Sequence, residues 1–203
     1  MDENKNENLE WEEVSCEHLV NDQYVDFRRQ EFRLPNGEIF GPYYTYSRKN
    51  YIVVVALDEE GRYICVRQFR QGIMKVTTEF CAGGIERSSK DSEGSQYAGS
   101  EKEDSEWENA LSAAKRELRE ETGYESDDWK HLITMPSNAT VADNYAHIYL
   151  AKNCRKVTGQ DLDDTEFLNV ITLTEEELEE SVYSGNFEQA VHVMAWLLSK
   201  KEK

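Results

Sequence analysis

An α+β fold is predicted for this 203-residue chain, with a mixed, mostly antiparallel sheet and helices packed on it. Three observations predict it. Short runs of β-branched and aromatic residues recur along the chain, separated by turn residues. Two stretches instead carry the helical period, Glu106–Thr122 and Phe187–Lys200. Asp58–Arg62 reads as a hairpin loop between two of the apolar runs, the connection of antiparallel neighbours.

Taken in order, Trp11 to Phe40 mixes aromatics with charges and closes on Leu34-Pro35-Asn36-Gly37, a turn signal. Two or three antiparallel strands fit it, so residues 1–46 are read as a separate N-terminal sheet and 47–203 as the main domain. Tyr51–Leu57 is a continuous apolar run, the pattern of a buried strand. Asp58–Arg62 is a hairpin loop and Tyr63–Phe69 the return strand. Thr77–Cys81 is another short strand, ending at Ala82-Gly83-Gly84. From about Arg87 to Ser105 the residues are mostly Ser, Glu, Gly, Lys and Asp, too polar to offset the entropy of ordering them. This stretch is read as a surface insertion. The helix over Glu106–Thr122 ends at Gly123, a C-cap residue. Tyr145–Ala151 and Phe167–Leu173 are strands, Thr174–Glu177 opens a short acidic helix, and the last helix turns Val191, Met194, Ala195 and Leu198 to one side.

Composition narrows the function. Hydrophobic residues make up 38% of the chain, enough for a core. No apolar run reaches the roughly 18 residues of a membrane span, and the polar, acidic start is unlike a signal peptide, so a cytoplasmic location away from membranes is expected. The formal charge of −18 repels nucleic-acid phosphates and anionic lipids. A small phosphorylated ligand stays compatible with it, provided metal cations or local arginines serve the site. Cys16, Cys65, Cys81 and Cys154 are scattered, against a zinc site or a disulfide framework. Cys65 and Cys81 are expected in the core, and His147 is expected to be a hydrogen-bonded core histidine.

The chemistry is concentrated in Arg116-Glu117-Leu118-Arg119-Glu120-Glu121-Thr122-Gly123-Tyr124. On a helix Glu117, Glu120 and Glu121 stand at i, i+3 and i+4 and share a face. Leu111, Ala114 and Leu118 fall on a neighbouring face suited to the sheet. Ala110 and Ala113 leave room for another segment to approach. Lys115, Arg116 and Arg119 are expected to point mostly elsewhere, leaving three mutually repelling carboxylates. Hard cations with oxygen ligands relieve such repulsion, Mg²⁺ above all; an exposed acidic face with no ligand has the same spacing.

This segment resembles the box of the Nudix hydrolases: Gly, five residues, Glu, seven residues, then Arg-Glu-apolar-x-Glu-Glu-x-Gly-apolar. Arg116 to Tyr124 match every specified position, Glu108 stands seven residues before Arg116, and Gly83 is the box glycine. Between Gly83 and Glu108 lie 24 residues where the pattern has five, and the excess coincides with the polar insertion. Val66-Arg67-Gln68-Phe69-Arg70 and Glu79-Phe80-Cys81-Ala82-Gly83 are similar to segments of the ADP-ribose and ADP-sugar pyrophosphatases, with Cys81 replacing the usual proline. His147–Ala151 and Asp164–Phe167 extend the likeness, which runs from about Tyr51 to Leu198.

The resemblance implies a Nudix sandwich fold and a Mg²⁺-dependent enzyme, with Mn²⁺ as an alternative metal. Its substrate would be a small nucleoside diphosphate derivative, ADP-ribose first, cleaved to AMP and ribose 5-phosphate. A nucleotide sugar such as ADP-glucose or GDP-mannose, FAD, and a non-catalytic nucleotide-sensing module are the alternatives. It implies that Glu117, Glu120 and Glu121 hold the metal with the carbonyl of Ala82, and that Arg116 braces them. Arg70 would contact the diphosphate. Glu79 would touch a ribose hydroxyl or help hold the metal loop. The general base would come from Asp163, Asp164 or Glu166, of which Glu166 is favoured. A homodimer is implied too, its N-terminal strands helping to build the partner's site.

Overall fold

The structure is a computed structural model describing residues 9–86 and 108–202. The 87–105 insertion lies outside the described residues. Three antiparallel strands come first: β1 (Glu12–Asn21), β2 (Asp26–Arg33) and β3 (Ile39–Ser47), in the order β1-β2-β3. Gly37, at φ 88°, makes the turn between β2 and β3, donating to the Leu34 carbonyl. This small sheet is tied to the rest of the chain at Asp143, which accepts from Arg28 and from the Ser47 hydroxyl, and through Tyr46 N–H to the Val141 carbonyl. Every residue of β1 is exposed.

The main sheet has eight strands. They are β4 (Tyr51–Asp58), β5 (Tyr63–Arg70), β6 (Lys75–Glu79), β7 (Cys81–Gly84), β8 (Tyr124–Glu125), β9 (Asp128–Pro136), β10 (Tyr145–Lys156) and β11 (Leu168–Leu173). The path runs β11-β5-β4-β10-β8, with β6 on β5, β7 on β4 and β9 on β10. Among the strands of the described residues, β4 and β10 are the pair that runs parallel. Helices α1 (Ala110–Thr122), α2 (Glu175–Tyr183) and α3 (Ala190–Ser199) complete the described residues. None of these helices is long and apolar enough to cross a membrane.

The unbroken apolar run of β4 has a simple cause: both faces of the strand are covered. Ile52, Val54 and Ala56 pack against Ala113, Ala114 and Leu118 of α1. Val53, Val55 and Leu57 pack against Leu178 of α2 and Ala195 and Trp196 of α3. Cys65 and Cys81 are fully buried, as expected.

Four expectations need correction. The predicted strand Thr77–Cys81 is two strands: the chain leaves β5 after Glu79 and joins β4 at Cys81, switching neighbours at buried Phe80. Helix α1 starts at Ala110, because the Asn109 side chain accepts from Leu111 N–H and caps it. The last helix starts at Ala190, since Phe187 is packed into the core ahead of it. His147 is half-buried rather than core; it shares the Thr134 hydroxyl with His131. Strand β9 was not anticipated.

Gly123 ends α1 at φ 73°, and a Cβ there would collide with the Thr158 carbonyl oxygen. Gly123→Ala is therefore expected to cost at least about 1–2 kcal/mol, the left-handed backbone penalty, before the collision is added. Urea unfolding measures it; a variant as stable as wild type contradicts this role for the glycine.

Candidate active site

Helix α1 presents Glu117, Glu120 and Glu121 on one face, as the spacing requires. They differ in environment: Glu117 and Glu121 are only 9% and 3% exposed, whereas Glu120 reaches solvent. Burial follows from close packing on β7. A Cβ on Gly83 would overlap the Glu117 carboxyl carbon, so the strand approaches this closely only because position 83 is glycine. Glu121 accepts from the Ala82 N–H at 3.3 Å.

Arg116 does not point elsewhere. Its Nη1 donates to Glu117 at 2.9 Å and to Glu120 at 3.1 Å. Its Nε and Nη2 donate to the two Glu108 oxygens, and Nη2 also reaches the Gly84 carbonyl. A long side chain one residue before Glu117 folds back along the helix, which counting faces does not anticipate. Glu108 N–H donates to the Glu86 carbonyl at 2.8 Å, so the two sides of the insertion meet. The spacing lost in sequence is thereby restored in space, and Glu108 reaches Arg116 as the box pattern requires.

The C-terminal end of α1 carries the acidic loop. Asp161 N–H donates to the Glu120 carbonyl, and Gln160 Nε2 donates to the Glu121 carbonyl at 2.8 Å. Glu166 lies close enough for its charge to act on both Glu117 and Glu121. Its carboxylate accepts from Asp163 N–H.

Arg70 and Glu79 form a two-pronged ion pair, Nε to Oε1 at 2.8 Å and Nη2 to Oε2 at 2.9 Å. Glu79 is fully buried and also accepts from Thr77 and from Gln189 Nε2 at 3.0 Å. In this position Glu79 faces Arg70 and the start of α3. His192, buried, accepts the Phe80 N–H on Nδ1 at 3.1 Å and turns Nε2 toward Glu79 at 3.9 Å. Burial lowers the His192 pKa to about 4, so the ring is neutral near pH 7. Sequence reasoning missed Gln189 and His192, which lie more than 100 residues from the strands they touch.

The model of the NUDIX domain matches residues 47–197. The chain belongs to the Nudix family. It is a Nudix hydrolase and shares 28% identity over 170 residues with the methanol dehydrogenase activator of Bacillus methanolicus, covering 81% of this chain and 78% of that one. It shares 26% over 170 residues with the ADP-ribose pyrophosphatase of Bacillus subtilis strain 168, covering 83% and 81%. A solved structure titled ADP compounds hydrolase superposes with a TM-score of 0.73 at 16% identity, over 95% of this chain and 93% of that one, a likeness of fold.

Nudix hydrolases use divalent metal ions, and the donor set here fits one in chemistry. Burial pushes the Glu117 carboxyl up to about 7, against the pull of Arg116, with Glu120 and Glu166 adding to the push. Burial pushes Glu121 up to about 8, and Glu117 and Glu166 raise it further while Cys81 and the Ala82 N–H lower it. Two desolvated carboxylates that resist ionising together are what a hard cation relieves. Among the described residues no three acidic, His or Cys side chains yet converge as a ready cage; Arg116 bridges Glu117 and Glu120 instead.

A carboxyl raised in the folded state favours folding while protonated. Its contribution is complete below the unfolded value near 4.5 and is lost as pH rises through about 7 for Glu117 and about 8 for Glu121. In EDTA the melting temperature is therefore expected to fall between pH 5 and pH 9. The doubly substituted E117Q/E121Q should show a flatter profile. Equal slopes for the two proteins would contradict the pKa assignment.

Proposed function

We propose that this chain hydrolyses the diphosphate of ADP-ribose, giving AMP and ribose 5-phosphate, with Mg²⁺ as its metal and Mn²⁺ as a substitute. One observation carries the reading: a Nudix domain in which β7 and the glutamate face of α1 are packed together and braced by the Glu108–Arg116 pair. The substrate is supported by relatives named ADP-ribose pyrophosphatase in Bacillus subtilis and Mycobacterium tuberculosis.

Glu117, Glu120, Glu121 and the Ala82 carbonyl would hold the cation. When bound, it neutralises phosphate charge and lowers the pKa of a water. Arg116 keeps two of these carboxylates at a fixed separation. Arg70 spends two of its five N–H donors on Glu79, and the remaining three are free to meet diphosphate oxygens. Glu166 takes the proton of the attacking water, a contribution of about 10²–10⁴-fold. The new O–P bond forms at one phosphorus as the bond from that same phosphorus to the bridging oxygen breaks, and the other phosphate leaves with the bridging oxygen and the electron pair. Positioning and charge neutralisation supply most of the rate.

Residues 1–46 form the dimerisation element and 47–203 the catalytic domain. A second copy would cover the apolar side chains that β1–β3 leave exposed, among them Trp11, Val14, Ile39 and Phe40. A cytoplasmic homodimer that binds no nucleic acid is consistent with the charge of −18.

Purified protein would be given Mg²⁺ and, separately, ADP-ribose, ADP-glucose, GDP-mannose, FAD and NADH, with products resolved by chromatography. AMP and ribose 5-phosphate are expected fastest. E120Q should be at least about a hundredfold slower, from several kcal/mol of lost charge stabilisation, and E166Q slower by about 10²–10⁴. Faster turnover of another compound would overturn the substrate while leaving the hydrolase. No turnover, with ADP-ribose still raising the melting temperature, would favour the sensing module.

A further inference from the structure

We propose that Gln189 and His192, at the N-cap and in the first turn of α3, are positioning residues of the hydrolytic site, an inference that rests on the function proposed above. They grip the chain where β6 becomes β7 and so set the relation between Arg70 and the Ala82–Gly83 backbone.

The switch of neighbours at Phe80 creates a specific need. Glu79 is registered with Val66 of β5 and Cys81 with Val54 of β4, so Phe80 between them belongs to neither ladder. Its buried N–H must find another acceptor, since an orphaned donor costs about 1–3 kcal/mol. His192 Nδ1 supplies it at 3.1 Å, and the imidazole lies nearly parallel to the Phe80 ring, 11° between planes. A neutral ring is required, because a protonated Nδ1 has no lone pair to accept.

At the N-cap of α3, Gln189 donates to the Glu79 oxygen that also receives Arg70 Nη2. Glu79 thus has no freedom left: Arg70, Thr77 and Gln189 fix both oxygens, and His192 closes the fourth side at 3.9 Å. Of the four residues after Phe80, Ala82, Gly83 and Gly84 meet the glutamates and Arg116. Ala82 N–H binds Glu121, Gly83 abuts Glu117, and the Gly84 carbonyl accepts from Arg116. Phe80 stands directly before this strand, so its position sets where the strand enters its pairing with β4 at Cys81. Helix α3 lies on the sheet face opposite α1. It therefore acts on the site from behind, touching neither the metal ligands nor the space in front of them.

The test uses the full chain with three substitutions. H192F keeps the ring shape and removes the acceptor; H192N returns an acceptor near the Nδ1 position; Q189L removes the amide from Glu79 at a half-buried site. Mn²⁺ binding without nucleotide is read by EPR, and kcat and KM for ADP-ribose are taken per folded molecule. H192F should weaken Mn²⁺ binding by about 10–100-fold, the usual effect of losing a group that orients ligands, and lower kcat, with H192N recovering most of both. Q189L should raise KM about tenfold through Arg70 while leaving Mn²⁺ binding within about twofold. If H192F loses melting temperature but keeps wild-type Mn²⁺ binding and kcat, the histidine is structural and the proposal fails. If H192F does not fold, Q189L decides, and an unchanged KM overturns the proposal. Wild type that binds no Mn²⁺ overturns both this inference and the function beneath it. Wild type that binds Mn²⁺ but prefers another substrate overturns only the choice of ADP-ribose, and the same variants are then read on that substrate.

Discussion

Negative charge buried at the contact between α1 and β7 is the constraint on which this structure turns. Glu117 and Glu121 are nearly out of water, on adjacent turns of one helix, in a chain already carrying −18. Taking carboxylates out of water is costly unless something compensates. The partial compensation is visible: the Arg116 guanidinium, the Cys81 thiol and the Ala82 backbone N–H. The raised pKa of both glutamates shows how incomplete it is. Glycine at 83, the Glu108–Arg116 pair and the tight C-terminal end at Gly123 all follow from keeping that contact close without letting the charges part.

The sheet lets both sides of the molecule bear on this one contact. Helix α1 brings the carboxylates to one face, and α2 and α3 cover the other with the larger hydrophobic cluster. The β6–β7 segment passes between them. It is held from the far side by His192 and Gln189 and from the near side by the glutamates. Function therefore sits on rigid elements, with the acidic loop of Glu166 hung from the last carbonyls of α1. The glutamates are thus carried by a helix, and Glu166 by a loop tied to the end of that helix.

Much of this was legible in the sequence, for local reasons. The three glutamates, the cap at Gly123, the buried run of β4 and the buried cysteines follow from spacing and hydropathy within a few residues. The Nudix resemblance rests chiefly on the helix half of the box, with Glu108, Gly83 and segments outside the box in support, although 24 residues separate Gly83 from Glu108 where the pattern has five. What was not legible depends on contacts between distant segments. Glu79 gave no sign that it is fully buried, because its partners include residues 9 and 110 positions away. His192 looked like a scattered histidine because the N–H it accepts is orphaned only by a change of strand partner at Phe80. Strand β9 was missed because its burial alternates weakly, with Lys130, His131 and Thr134 exposed among its apolar residues. Arg116 was assigned to the wrong side because residue spacing fixes where a Cα lies, and a five-bond side chain can travel back across the helix.

Under the proposed function the Glu117–Glu121 contact would hold a divalent cation. Crystals grown with Mn²⁺ and without nucleotide, with diffraction collected at an energy where manganese scatters anomalously, test it most directly. The account predicts an anomalous peak within about 2–2.5 Å of carboxylate oxygens of Glu117 or Glu121, with Arg116 still on Glu108. A peak bound elsewhere, or none at millimolar Mn²⁺ with both glutamates unmoved, would contradict it.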